Sequence, residues 1–251
     1  EHRLPRDLVR GVDVAGIGLD GELAGVLRRA GPRPVIVNAA GVRTGSLPEL
    51  RDGNVELVNH LLETAGWLVQ LGSAAEYGLG VRSPVTETTA CAPTADYGRT
   101  KFEATQLALA SRNATVLRLF NVADSPPQPG SPLADIRARV LAGVNNGVDV
   151  EVLSAGTVRD YVGRDFVARS VAHAVDSRPA GLFNLASGLP VSVLALATAA
   201  VSALGSTVGV RDLAQFPATQ MWCRPDAWEA VSGMRERLGA AAVARLLVGG
   251  L

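Results

Sequence analysis

The chain has 251 residues and a mass of 26.0 kDa, with 47% hydrophobic and 19% charged residues: enough apolar material for a packed core and too little charge for a disordered chain. Its 24 basic and 24 acidic side chains give a net charge of +0, which removes the global positive field expected of a nucleic-acid binder. Cys91 and Cys223 stand far apart, with no CxxC or Cys/His metal spacing, so the pattern argues against a disulfide scaffold or a zinc site and fits a cytoplasmic setting.

Taken in chain order, residues 34–38 (PVIVN) read as a short strand and residues 54–65 (NVELVNHLLETA) as a helix opening at Asn54. Residues 67–71 (WLVQL) are strand-like, residues 97–111 (YGRTKFEATQLALAS) helical and residues 115–119 (TVLRL) strand-like again. Continuous apolar runs spaced by helices describe βαβ units around a buried parallel sheet. Residues 124–132 (DSPPQPGSP) are a loop, followed by a helix over 133–142 and a period-2 strand over 148–153. Residues 165–175 are helical, 181–185 (GLFNL) strand-like and 191–204 helical, and the segment 225–251 ends in an Ala-rich helix. No stretch reaches the roughly 18 uninterrupted apolar residues of a membrane span. The nearest, Val191 to Leu204, follows Pro190 and carries Ser192, Thr198 and Ser202, so it reads as a buried helix.

Of the 24 basic residues, Lys101 is the single lysine. A compact ammonium fits a tight pocket and favours a neighbouring anion there; a planar guanidinium does not replace it. Tyr97 precedes it by four residues, the spacing that stacks two side chains on one helix face. A free tyrosine titrates near pH 10, and a nearby cation brings its phenolate closer to working range. The bland alternative is an ordinary surface i,i+4 pair. Ser73 follows an apolar strand, where polar side chains line the ligand crevice of an open α/β sheet; the bland alternative is a turn cap. His2, His60 and His173 form no triad with a nucleophile, which argues against a hydrolase.

A series of short motifs follows one order. Asn38-Ala39-Ala40-Gly41 comes after the first strand, then NVELVNHLLETA from Asn54, LGSAAEYG to Gly78, Pro84-Val-Thr-Glu87, Pro93 and YGRTK. Leu117-Arg-Leu-Phe-Asn-Val122, Gly156-Thr-Val-Arg-Asp-Tyr161 with Asp165, and Phe183-Asn-Leu-Ala-Ser-Gly188 complete it. The whole resembles the extended short-chain dehydrogenase/reductases, the NAD-dependent epimerase/dehydratase type that acts on nucleotide sugars. The resemblance implies an α/β fold: a Rossmann-like parallel sheet with helices on both faces, plus a small C-terminal substrate lobe. It places the dinucleotide-binding domain at residues 1–124 and 160–187 and the lobe at 125–159 and 188–251.

Carried over by position, Ser73, Tyr97 and Lys101 match the catalytic triad. Tyr97 would be the acid/base, Ser73 would polarise the sugar oxygen, and Lys101 would hold the cofactor ribose and lower the Tyr97 pKa. Asn38, Ala39, Ala40, Gly41, Leu71, Phe120 and Val122 would line the NAD or NADP site together with Tyr97 and Lys101. Asn121 and Arg159, with Ser73, match substrate-side positions, and Asn54 a supporting one. Related dehydratases carry an Asp-Glu pair where this chain has Ala74 and Ala75, which tilts the expectation to a 4-epimerase or 4-keto-reductase. The expected partners are a nucleotide sugar and a second copy of the chain, with Leu61, Leu62, Leu107 and Leu109 facing it; no nucleic acid, membrane or metal is expected.

The first Gly-rich strand–turn–helix of the resembled family does not stand in the 37 residues before Asn38. Gly16-Ile-Gly-Leu-Asp-Gly21 spells GxGxxG, but Asp20 would put a negative charge into an anion cradle, and it falls where the family begins its third helix. It reads better as the N-cap of a short helix over 22–29. On that reading residues 1–251 alone are expected to bind NAD(H) or NADP(H) weakly or not at all. The alternative function is a non-redox member of the fold that lacks the cradle and serves as a binding protein or cofactor-free tailoring enzyme.

Overall fold

The computed structural model describes residues 33–249. The GxGxxG run Gly16–Gly21 and the short helix expected over 22–29 lie outside the described residues. Strand β1 (Val35–Asn38) leads to helix α1 (Leu47–Arg51), a π-helical turn (Asp52–Glu56) and helix α2 (Leu57–Thr64). Strand β2 (Trp67–Ser73) ends in a tight 3-10 turn (Ala74–Tyr77), and helix α3 (Asp96–Ala110) precedes β3 (Ala114–Leu119). Then come β4 (Asn121–Ala123), α4 (Pro132–Asn146), β5 (Val150–Val152), β6 (Val158–Arg159), β7 (Tyr161–Gly163) and α5 (Arg164–Ser177). The described chain closes with β8 (Gly181–Leu185), β9 (Val191–Ser192), α6 (Val193–Ala203), β10 (Val210–Asp212), β11 (Gln220–Met221), α7 (Asp226–Ser232) and α8 (Ala240–Val248).

The fold is α/β, with a Rossmann-like sheet in the order β1-β2-β3-β8. β1 and β2 run parallel in the register Val35 to Trp67 through Asn38 to Gln70, so their polar ends finish side by side. The chain divides into two compact units. The first takes the described residues up to Glu76 with Pro93–Arg118 and Arg169–Phe183; the second takes Tyr77–Ala92, Leu119–Ala168 and the chain from Asn184 onward.

In the first unit the core joins Leu57, Val58 and Leu61 of α2 to Leu68 of β2, Ala104 and Ala108 of α3, and Ala114 and Val116 of β3. The small residues at 104 and 108, one turn apart, let α3 lie close against the strands. In the second unit, Ile136 and Val140 of α4, Val150 and Val152 of β5, Leu196 and Ala200 of α6, and Val243 and Leu247 of α8 share one core. Ser131 caps α4, its hydroxyl accepting from Ala134 N at 3.2 Å, and Gly147 ends it in the left-handed region at φ 65°.

Several expected boundaries move. Asn54 does not open a helix: it sits in the π-helical turn of a helical stretch that already began at Leu47 under a Ser46–Glu49 capping box. Ser73 is the last residue of β2 rather than a residue after it. The strand expected over 148–153 keeps only Val150–Val152, with Val148 exposed, and the helix expected from Val191 starts at Val193 after a two-residue strand. Leu61, expected on the outer face of its helix, is 4% exposed and belongs to the first unit's own core, because it shares one helix face with the buried Leu57 and Val58. Leu62, Leu107 and Leu109 are partly buried against the same cluster. Among the described residues no helix is long and apolar enough to cross a membrane.

Leu68 carries no exposed surface and lies between α2 and α3 in this core. Leu68→Ala is expected to lower the unfolding free energy by about 2–5 kcal/mol, read from the shift in the urea midpoint.

Candidate active site

The carboxyl ends of β1 and β2 and the first turns of α3 bring most of the expected residues of the first unit together. Asn38 closes the turn after β1: its Nδ2 donates to Gln70 Oε1 at 2.8 Å, and its Oδ1 accepts from Ala40 N at 3.1 Å. Ala39 and Gly41 stay exposed there, Ala40 half-buried. Asn54, 2% exposed, pins the same loop, since its Oδ1 accepts from Val42 N at 3.0 Å and its Nδ2 donates to Val42 O at 2.8 Å and to Thr100 Oγ1 at 3.0 Å. Thr100 in turn donates to Tyr97 O at 3.1 Å. One amide thus connects the β1 loop to the helix that carries Tyr97 and Lys101.

Lys101 is 5% exposed, and its Nζ donates to Leu71 O of β2 at 2.6 Å. Burial pulls its pKa down, and the negative charge of Glu76 works against that. Tyr97 is half-buried and feels the Ser73 hydroxyl, whose Oγ accepts from Ala75 N at 3.2 Å. The expected lowering of the Tyr97 pKa is corrected here. Burial pushes the phenol up and Glu76 adds to it, while the Ser73 hydrogen bond and the Arg43 charge pull the other way without prevailing.

The second unit holds the remaining expected residues. Phe120 is buried with its ring centroid 6.4 Å from that of Tyr77, and its N–H donates to Leu185 O at 3.1 Å. Asn121 donates from its backbone (3.2 Å) and from Nδ2 (3.0 Å) to Asp160 O, and Val122 is 37% exposed. Arg159 donates from Nη1 to Val158 O at 2.8 Å and Thr219 O at 3.0 Å, and from Nη2 to Thr219 Oγ1 at 2.8 Å. That leaves its Nε–H and one Nη2–H for a ligand.

Three charged residues escaped the sequence reading. Glu76 and Arg118 form a buried ion pair in the first unit, with Nη2 2.6 Å from Oε2. In the second unit the buried Asp160 accepts from Ser187 N and Oγ, both at 2.8 Å, and from Gly188 N at 3.0 Å. Burial raises the Asp160 pKa and these donors oppose the rise. The available signal was charge inside apolar runs, as in TVLRL, because a buried charge requires a partner. A cleft of about 710 Å³ in the second unit is lined by Arg139, Asn146, Asp149, Glu151 and Arg211, and none of the expected site residues borders it. Among the described residues no cluster of three or more His, Cys, Asp or Glu side chains could hold a metal ion.

The family model described as NAD dependent epimerase/dehydratase matches residues 20–186. The chain belongs to that family. It is therefore an enzyme of the NAD(P)-linked short-chain dehydrogenase/reductase type. Solved structures share the fold. A dTDP-glucose 4,6-dehydratase from Bacillus anthracis in complex with NAD superposes with a TM-score of 0.75 at 20% identity, over 91% of this chain and 76% of that one. A UDP-glucuronic acid 4-epimerase from Bacillus cereus, in complex with UDP-glucuronic acid and NAD, gives 0.75 at 16% identity over 91% and 77%. The Bordetella bronchiseptica enzyme WbmG in complex with NAD gives 0.75 at 20% identity over 97% and 81%. No curated protein matches the chain.

The first unit fits the nicotinamide half of such a cofactor. Gly41 is exposed beside the buried ammonium: a Cβ there would lie 3.8 Å from Lys101 Nζ and 2.9 Å from Asn54 Oδ1, so only glycine leaves that surface open. The ammonium has three donors, of which Leu71 O takes one. Replacing Asn54 with alanine strips the Val42 loop and Thr100 of their partners. Asn54→Ala is expected to cost about 1–3 kcal/mol of stability, measured by urea unfolding, and a variant as stable as the parent would contradict the pinning role.

Proposed function

We propose that the chain is an NAD(P)-dependent oxidoreductase or epimerase acting on a nucleotide sugar, of the 4-epimerase or 4-keto-reductase type. The observation that carries the reading is the buried Lys101 ammonium anchored on Leu71 O, with Tyr97 one helical turn before it and the Ser73 hydroxyl acting on that phenol. Structural neighbours support the substrate class: they include a UDP-N-acetylglucosamine 4-epimerase, a UDP-glucuronic acid 4-epimerase and a dTDP-glucose 4,6-dehydratase.

The bound nicotinamide supplies hydride acceptance and return at a sugar carbon. The chain's own residues supply the rest. Tyr97 Oη exchanges the proton of the reacting sugar hydroxyl, and Ser73 Oγ hydrogen-bonds the same oxygen as it changes between hydroxyl and carbonyl. Lys101 Nζ keeps N–H donors for the cofactor ribose while anchored on Leu71 O. Asn38, Ala39, Ala40, Gly41 and Leu71 present the first unit's face to the cofactor. In the second unit, Phe120 and Val122 would line the nicotinamide, and Asn121 and Arg159 would hold the sugar and its diphosphate. Dehydration is disfavoured, because Ala74 and Ala75 offer no carboxylate and the adjacent Glu76 is already paired with Arg118 and hydrogen-bonded to Ser73 N. The reading places the enzyme in the cytoplasm.

Tyr97→Phe is expected to lower turnover of a nucleotide sugar at least about 100-fold with the circular-dichroism spectrum unchanged; full activity in that variant would remove Tyr97 as acid/base. Lys101→Arg is expected to be severely impaired in the same assay, because a guanidinium cannot occupy the ammonium's buried place. We also expect a homodimer, built through the outer surfaces of α2 and α3 with Leu62, Leu107 and Leu109 at its edge. Light scattering at high protein concentration checks this, and a monomer mass counts against it.

A further inference from the structure

Glu76 and Arg118 sit wholly inside the first unit, 0% and 1% exposed. Arg118 donates from Nε at 3.0 Å and from Nη2 at 2.6 Å to Glu76 Oε2. The other carboxylate oxygen, Oε1, accepts the backbone N–H of Ser73 at 2.7 Å. Gly72 makes this approach possible, since a Cβ at that position would lie 2.8 Å from Oε1. Removing two charges from water is costly, and an apolar pair of similar volume commonly serves stability as well. What the ion pair adds is a fixed acceptor on Ser73 and a fixed charge.

We propose that Glu76, anchored by Arg118, is a positioning residue for the reaction: it holds the end of β2 that carries Ser73 and sets a negative charge against the Ser73–Tyr97–Lys101 group. The inference rests on the reading of that group given above. The charge supports Lys101 as an ammonium against burial, and it opposes ionisation of Tyr97. The charged groups around Tyr97 come from several elements of the first unit. Arg43 lies in the loop after β1, Glu76 in the turn after β2 and Lys101 one turn on in α3, while Arg118 of β3 reaches Glu76. Asp96 and Arg99, also on α3, pair with each other at 2.7 Å.

The test follows the phenol itself. The chain has three tyrosines, Tyr77, Tyr97 and Tyr161, so a chain labelled with 13Cζ-tyrosine gives a spectrum simple enough to assign by comparison with Tyr97→Phe. Titrated from about pH 8 to 11, the Tyr97 resonance is expected to ionise at lower pH in Glu76→Gln than in the parent. The double variant Glu76→Gln/Arg118→Met leaves no buried charge at the pair and guards against loss of fold in the single one. Losing the Arg118 cation opposes losing the Glu76 anion, so the double variant is expected to shift the same way by less. Ionisation at the parent's pH or above it in both variants overturns the proposal, and so does loss of fold in both, which would leave the pair a structural role alone. Full turnover by Tyr97→Phe would instead defeat the reading of the site and leave the titration shift standing.

Discussion

Lys101 Nζ donates to Leu71 O at 2.6 Å with 5% of the residue exposed, and this bond ties α3 to the carboxyl end of β2. An ammonium removed from water is held only by short bonds and favourable charge. Here it has the strand carbonyl and the field of Glu76. Once Lys101 is fixed, helical geometry fixes the rest of that face. Tyr97, one turn earlier, meets Ser73; Thr100 turns to Asn54; Ala104 and Ala108 pack on the strands. A longer, planar guanidinium at 101 would change the distance between helix and strand, which gives the chain's single lysine a physical reason.

The chemistry follows from how that face treats protons. Burial and Glu76 keep the Tyr97 phenol protonated more firmly than in water, while Ser73 and Arg43 favour its anion. In the proposed reaction, an acid/base group in this balance would be tuned by whatever charge a ligand brings beside it, while the cofactor carries the hydride. The second unit is organised around another buried carboxylate. Asp160 gathers Ser187 and Gly188, while the backbone carbonyls of Asp160 and Thr219 fix Asn121 and Arg159. Each unit thus sets its polar side chains with backbone groups, which hold orientation better than side-chain pairs alone.

Much of the fold was legible in the sequence because the strands are apolar runs and the helices carry clear spacing. VIV, WLVQL, TVLRL and GLFNL all became strands, and YGRTKFEATQLALA became a helix starting one residue early. Asn54 misled because Asn favours helix starts, whereas here its amide is turned inward in a π-helical turn to pin the Val42 loop. Leu61 shares the buried face of α2 with Leu57 and Val58 at ordinary helical spacing, and spacing alone does not say whether that face meets the chain's own sheet or a partner. Ser73, Tyr97 and Lys101 were visible as motif positions, but the direction of the Tyr97 shift depends on burial and on Glu76, a tertiary neighbour. Glu76 and Arg118 are 42 residues apart, and local spacing carries no sign that they meet.

The central claim is that the face formed by β2 and α3 directs hydride exchange with a sugar carbon while Tyr97 handles the proton. The most direct measurement supplies a 4-keto nucleotide sugar together with reduced NAD or NADP carrying deuterium at the reactive ring carbon, and follows the label by NMR. The account predicts that deuterium moves from the nicotinamide to C4 of the sugar. Consumption of the keto sugar with the label left on the nicotinamide, or no reaction with either cofactor and either a UDP- or a dTDP-linked sugar, would contradict it.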